Sequence, residues 1–423
     1  MADDRIIAEY LVETPRTLAV AAESMAGEQS TGTFTRVPGE TDELRERFAA
    51  RVESLEELEP VSSPSLPGAA KPQAANGTYE RGRVRISFPL ANMGPNLPAI
   101  ISTVAGNLFE LRYLSGLRLL NLEFPAALAR DFPGPQFGVA GTRRLTGVYD
   151  RPIIGTIVKP SIGLTPDATA DLVLTLGEAG IDFVKDDELM ANPPHSPLAE
   201  RVTAVMHVVN ELADRTGRKV MFAFNISDQL DRMLEHHDTV VAAGGTCLMI
   251  SLNSVGYAAV DYLRRRSSLP IHGHRNGWGM FTRHPALGME FTAYQKLWRL
   301  AGVDQLHVNG LKNKFCEPDE SVVRSIEACL TPMLGGYTVM PVVSSGQWGG
   351  QAPETYRQTQ TLDLMYLAGG GILAHPSGPA AGVAALRQAW EAAAAGVALD
   401  DYARQHPELR QSLDFYGRLE HAK

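Results

Sequence analysis

Lys185, Asp186, Asp187 and Glu188 follow directly on the apolar residues Ile181, Phe183 and Val184, placing one cation and three carboxylates where a buried strand is predicted to end. Burying an unpaired ion costs roughly several kcal/mol, so such a cluster must be solvated, paired or bound to metal. The metal that suits hard oxygen ligands is a divalent cation such as Mg²⁺, held by one or two carboxylates with positions left for substrate oxygens. The same run is also compatible with a solvated strand end carrying ordinary surface acids. Further candidates close other apolar segments: Lys159, Asn225, His274 with Arg275, His307, Ser344, and the run Gly369-Gly370-Gly371. Ser344-Ser345-Gly346 and the glycine run suit a phosphate, because glycine lets backbone amides close on an anion. Tight turns are the plain alternative.

These residues need elements to bring them together. From about residue 150 the chain repeats an apolar strand, a polar tip and a helix. The predicted strands are 153–158, 181–184, 220–224, 247–252, 269–272, 305–308, 339–343 and 364–367. Eight such units imply a closed (β/α)₈ TIM barrel, which needs about 250 residues and carries its chemistry at the C-terminal strand ends, with phosphate commonly held after the last two strands. A doubly wound open sheet is the alternative α/β architecture. Before the barrel, Ile6 to Val12 is apolar, Thr17 to Met25 is rich in alanine, and Glu43 to Leu58 has helical spacing with charges. Val84, Ile86 and Phe88 alternate with Arg83, Arg85 and Ser87, the period of a half-buried strand. The expected organisation is a smaller N-terminal α+β (ferredoxin-like) domain over residues 1–135 and a catalytic barrel over 136–423.

Composition excludes several classes. The 423 residues are 44% hydrophobic and 21% charged, ordinary for a globular protein. No apolar run approaches the roughly 20 residues of a membrane span, and the N-terminus lacks a signal-peptide pattern, so no membrane association and a cytoplasmic location are expected. Three widely spaced cysteines argue against a disulfide framework or a thiolate zinc site. A net charge of −9 without a basic tract leaves no footprint for nucleic acid.

The motifs resemble those of the ribulose-bisphosphate carboxylase (RuBisCO) large-subunit superfamily, specifically its RuBisCO-like, non-carboxylating branch, from about Glu28 to Gly378. Gly180 to Glu188 is similar to the activation motif. The resemblance implies that Lys185 takes up CO₂ as a carbamate and joins Asp187 and Glu188 as Mg²⁺ ligands. Gly155-Thr-Ile-Val-Lys-Pro160 is similar to the first-strand motif, with Lys159 at the position of the base that forms the enediolate. His274-Arg275 and His307 match strand-end positions that contact phosphate and hydroxyl groups, and Lys314 falls at the mobile-loop lysine. Ser344, Gly346, Gly369 and Gly370 match the remaining polar and phosphate contacts. Glu28 to Phe34, including Thr33, and Asn107 match segments that reach into the neighbouring subunit's site. The resemblance therefore implies a homodimer with shared sites acting on a phosphorylated small molecule.

Two departures point away from CO₂ fixation. Carboxylases have a second lysine two residues after the one at Lys159, where this chain has Ser161, and their Gly-Thr-Val-Val-Gly run before Lys314 is replaced by residues 308–313, Val-Asn-Gly-Leu-Lys-Asn. The expected reaction is decarboxylation, a C–C cleavage, of a phosphorylated 3-oxo sugar acid of the 3-oxo-isoapionate 4-phosphate type, with Lys314 meeting the carboxylate. Enolisation or isomerisation of a ketose 1-phosphate, such as 5-methylthioribulose 1-phosphate, is the alternative. Methionine-salvage enolases tend, however, to replace the residues matching Asn107 and Lys314. A non-catalytic binding protein on the same fold is a third reading.

Overall fold

The computed structural model describes residues 4–32, 37–72 and 77–421; Thr33 lies outside them. Among the described residues the strands are β1 (Arg5–Thr14), β2 (Arg51–Val61), β3 (Tyr79–Pro89), β4 (Gly116–Glu123), β5 (Ile153–Ile157), β6 (Phe183–Lys185), β7 (Met221–Asn225), β8 (Cys247–Ser251), β9 (Ile271–His274), β10 (Leu287–Met289), β11 (Gln305–His307), β12 (Met340–Val343) and β13 (Met365–Leu367). The chain divides into two compact units, Met1–Gly134 with Gly277–Ala301 and Met333–Gly336, and Pro135–Asn276 with Gly302–Pro332 and Tyr337–Lys423.

The first unit is a five-stranded sheet in the order β10-β4-β1-β3-β2. Alternation decides its faces. Ile6, Ala8, Tyr10 and Val12 of β1 are buried and pair antiparallel with Phe88, Ile86, Val84 and Gly82 of β3. On the other face the intervening charges pair with one another, as in Arg83 with Glu9 at 3.0 Å and Arg85 with Glu123 at 2.8 Å. The helix Leu18–Glu28 begins at Thr17, whose side chain accepts from the Val20 N–H. The helical spacing read over 43–58 holds only for Asp42–Phe48; from Arg51 the chain is strand β2. Pairing with β3, Val52 against Ile86 and Leu55 against Val84, satisfies the backbone and overrides the local pattern. β10 comes from far along the sequence and runs parallel to β4. Arg118 secures that segment by donating to Glu290 at 2.7 Å and to the carbonyls of Thr282, His284 and Leu287.

The second unit contains the expected closed barrel, β11-β12-β13-β5-β6-β7-β8-β9, with neighbouring strands parallel. All eight predicted segments form its staves. Its interior is filled by Ile153, Phe183, Met221, Ala223, Cys247, Met249, Met340, Val342, Met365 and Leu367. Gly155 makes room for this layer, since a Cβ there would come within 2.5 Å of a Leu367 methyl and 2.9 Å of the Phe183 carbonyl. Phe183 in turn stacks on the His272 ring at 5.0 Å, so packing below orients a polar group above.

Candidate active site

Because the barrel strands are parallel, their C-terminal ends share one rim. On the β5–β6 side the rim is ionic. Lys159, just past β5, contacts Asp187 Oδ2 and donates to Ser161 Oγ at 2.7 Å. Asp187 Oδ1 accepts from the Leu189 N–H at 3.1 Å, which fixes the carboxylate. Lys185 closes β6 and is fully buried. Its Nζ donates to the Asp186 carbonyl at 2.8 Å, lies 3.4 Å from the Met249 sulfur and is 3.6 Å from Glu188. Burial pushes the Lys185 pKa down, against the pull of Glu188 and Asp187, and Lys159 adds to the lowering. Burial alone would raise the Glu188 carboxyl, but His274 and Lys185 outweigh it and hold the group below its ordinary range. His274 Nε2 lies 3.5 Å from Glu188, and burial together with Lys185 lowers the imidazole.

Asp186 departs from the cluster read in the sequence. Its carboxylate turns away from Asp187 and Glu188 to receive two bonds from Arg201, at 3.0 and 3.1 Å, and one from the Asn225 N–H at 2.9 Å. Burial raises the Asp186 pKa, opposed by Arg201. Asn225, flagged as a strand tip, donates its amide to the carbonyls of Asp187 and Glu188 at 3.2 and 3.3 Å. Arg201 and Asn225 thus position the segment that carries the two rim carboxylates. The signal for Arg201 was present. It lies on the buried stripe Leu198, Val202, Val205, Val209 and Leu212 of its helix, where a solvated arginine has no place.

On the β9–β11–β12 side a neutral hydrogen-bonded chain accompanies the Arg275–Glu317 ion pair. His272 Nδ1 meets Gln305 Oε1 at 2.9 Å, His272 Nε2 meets His307 Nε2 at 2.9 Å, and His307 Nδ1 meets Ser344 Oγ at 3.0 Å. Burial drives both imidazoles far below their ordinary pKa, and neighbouring cations reinforce it. Neutral rings allow one tautomeric order. His272 donates from Nδ1 to Gln305 and accepts at Nε2 from His307, whose Nδ1 accepts from the Ser344 hydroxyl. His272 was absent from the sequence candidates, although its place two residues before His274 on one strand puts both on the same face.

The two glycine-bearing loops lie against each other. A Cβ on Gly371 would meet the Gln347 carbonyl at 2.4 Å and Trp348 Cβ at 2.8 Å, so the contact requires glycine. Gly369 faces Lys159 Cε, 3.8 Å from a notional Cβ, and Gly346 faces the Lys314 side chain at 3.6 Å. Lys314 is exposed; its N–H donates to the Ser345 carbonyl at 3.2 Å. Arg275 Nη2 donates to Glu317 at 2.7 Å, a partner not read from the sequence. In the first unit, exposed Glu28 and Asn107 are brought near by Gln29, whose amide, oriented to satisfy both its atoms, donates to the Ser102 carbonyl at 3.0 Å and accepts from the Asn107 N–H at 3.1 Å.

The family profile for the "Ribulose bisphosphate carboxylase large chain, catalytic domain" matches residues 138–416, and that for its "N-terminal domain" matches residues 1–128. The chain belongs to this family. Similar relatives include a 3-oxo-isoapionate-4-phosphate transcarboxylase/hydrolase of Xanthobacter autotrophicus, 53% identical over 98% of this chain and 99% of the relative. A 3-oxo-isoapionate-4-phosphate decarboxylase of Rhizobium rhizogenes is 49% identical over 96% of each. The crystal structure of a rubisco-like protein from Burkholderia fungorum superposes with a TM-score of 0.91 at 50% identity, covering 98% of this chain and 100% of that one. Family membership generally implies Mg²⁺ and a carbamylated lysine. Among the described residues no group of three or more His, Cys, Asp or Glu is arranged to hold a metal ion. Asp187 and Glu188 supply two carboxylates beside the Lys185 amine, so the residues fit Mg²⁺ once Lys185 itself carries the third anionic group. No helix among the described residues is long and apolar enough to cross a membrane.

Proposed function

We propose that this chain is a Mg²⁺-dependent carboxy-lyase acting on 3-oxo-isoapionate 4-phosphate, with Mg²⁺ held by a carbamate on Lys185 and by Asp187 and Glu188. The observation that carries the reading is the buried Lys185 amine beside those two carboxylates, in a chain about half identical to proteins named for this substrate. Burial favours the neutral amine of Lys185, the form that adds to CO₂, and the resulting carbamate turns a repelling cation into a ligand. The bound cation supplies Lewis-acid stabilisation of the charge that develops on the ketone oxygen.

The residues of the chain do the rest. In a 3-oxo acid the bond between the carboxyl carbon and C2 breaks, CO₂ departs, and the electron pair passes into the C2–C3 bond with charge on the C3 oxygen. C2 then needs a proton. Lys159, held by Asp187 and Ser161, is the ammonium placed to give it and to recover one from solvent. Lys314 binds the substrate carboxylate before it leaves, and the Ser344–Gly346 and Gly369–Gly370 loops take the phosphate through backbone N–H groups. His274, His307 and Ser344 orient the hydroxyls. The protein acts as a cytoplasmic homodimer in which Glu28, Thr33 and Asn107 complete the neighbouring subunit's site; Glu28 and Asn107 are exposed on the first unit.

The test is incubation of purified protein with Mg²⁺, bicarbonate and 3-oxo-isoapionate 4-phosphate. One CO₂ is expected per substrate consumed, with no fixation of labelled bicarbonate when ribulose bisphosphate is offered. Carboxyl carbon retained in an organic product would assign transcarboxylation instead. Turnover of 5-methylthioribulose 1-phosphate without CO₂ release would assign the isomerase reaction.

A further inference from the structure

We propose that Glu317 is a specificity residue that cancels the Arg275 guanidinium, so that a second phosphate on the substrate gains little at this end of the site. The inference rests on the reading that Arg275 and Lys314 line the pocket for a phosphorylated sugar acid.

Arg275 follows directly on β9 at the rim, where an uncommitted guanidinium would be a strong receptor for a phosphate dianion. It is committed. Arg275 Nη2 donates to Glu317 Oε2 at 2.7 Å, with the two side chains only 7% and 16% exposed, and also to the Val308 carbonyl at 3.1 Å. Glu317 is anchored independently of that contact. Its Oε2 accepts from Asn309 Nδ2 at 2.6 Å and its Oε1 from Ser321 Oγ at 2.9 Å. Asn309 is itself held by Ser345 Oγ at 2.7 Å, and Asn313 Nδ2 donates to the Glu317 carbonyl at 3.0 Å. A phosphate arriving at Arg275 would have to sit beside this carboxylate, or displace it and leave a poorly solvated ion without its cation. An uncharged hydroxyl meets neither obstacle. Lys314 differs, since no carboxylate lies within ion-pairing distance of it among the described residues. One region of the rim is therefore electrically closed and the other open to an anion.

The discriminating measurement is calorimetric titration of the Mg²⁺- and bicarbonate-treated protein with ribulose 1,5-bisphosphate and with ribulose 5-phosphate, which differ by one phosphate. Wild type is expected to prefer the bisphosphate by less than tenfold, and Glu317→Gln to raise that preference by tenfold or more. The neutral double variant Arg275→Gln/Glu317→Gln is expected to return to the wild-type ratio, which decides the matter if Glu317→Gln alone does not fold. Preference for the bisphosphate by tenfold or more in wild type overturns the inference, as does an unchanged ratio in Glu317→Gln. So does a double variant that loses tenfold or more on the bisphosphate alone. These outcomes leave the decarboxylase reading standing. Absence of binding by either compound to wild type and variants alike would overturn the inference, while the decarboxylase reading stands or falls on CO₂ release from its own substrate.

Discussion

The two sides of the barrel rim treat their polar groups differently: on one, Lys159 and Glu188 keep 39% and 34% of their side chains exposed, whereas on the other His272 and His307 are buried. Around β5 and β6, charges are kept and paired: Lys159 with Asp187, Lys185 with Glu188, and Asp186 with Arg201. Between β9, β11 and β12, beside the Arg275–Glu317 pair, two neutral imidazoles pass a fixed hydrogen-bond order from Gln305 to Ser344. A paired ion can change partners when a metal or substrate arrives, whereas a neutral chain holds one geometry through the reaction. The first arrangement suits the group that reacts and the second suits the groups that orient.

Four substitutions would break or sharpen that contrast. Lys185→Ala removes the amine proposed as the third metal ligand, together with a fully buried side chain. It should lower Mg²⁺-dependent turnover roughly a thousandfold or more while circular dichroism stays unchanged; retained activity would show that the metal site lies elsewhere. Arg201→Met leaves Asp186 buried without its cation and should cost about 3–5 kcal/mol of stability in urea denaturation. A loss below about 1 kcal/mol would mean that Asp186 is not held by charge.

Lys314→Met should depress kcat/KM on the phosphorylated 3-oxo acid by about one to two decades, the equivalent of a charge-assisted contact of about 1.5–3 kcal/mol. Proton exchange on a simple ketose phosphate should change much less, and equal losses on both substrates would argue against a carboxylate contact. The smallest effect belongs to the neutral chain. His272→Phe keeps the stack on Phe183 but removes the acceptor for His307, and should cost about tenfold in turnover, matching the loss of one buried hydrogen bond. Nitrogen-15 spectra of the His307 ring should show one tautomer in wild type and a mixture in the variant. A single unchanged tautomer would show that His272 does not set it.

What was legible in the chain followed from periodicity. The barrel staves are short apolar runs ending in polar residues, and Lys159, Lys185, His274, His307 and Ser344 could be placed at strand ends because the side-chain order along a strand is local. The strand at 51–61 was misread as helix because an exposed edge strand with many charges carries little period-two signal of its own. Its pairing with β3 supplies what the local residues do not. β10 was invisible for the same reason, since three residues become a strand only through β4.

The sequence by itself determined which residues could react and along which rim they would lie, because residue type and strand alternation are local properties. Tertiary structure alone decided the partners. It turned Asp186 away from Asp187 and Glu188 and toward Arg201, joined His272 to His307, and set Glu317 against Arg275 across 42 residues. Such pairings depend on which strand ends and loops meet in the closed barrel, and on the cost of leaving a buried charge or donor unmatched once they do.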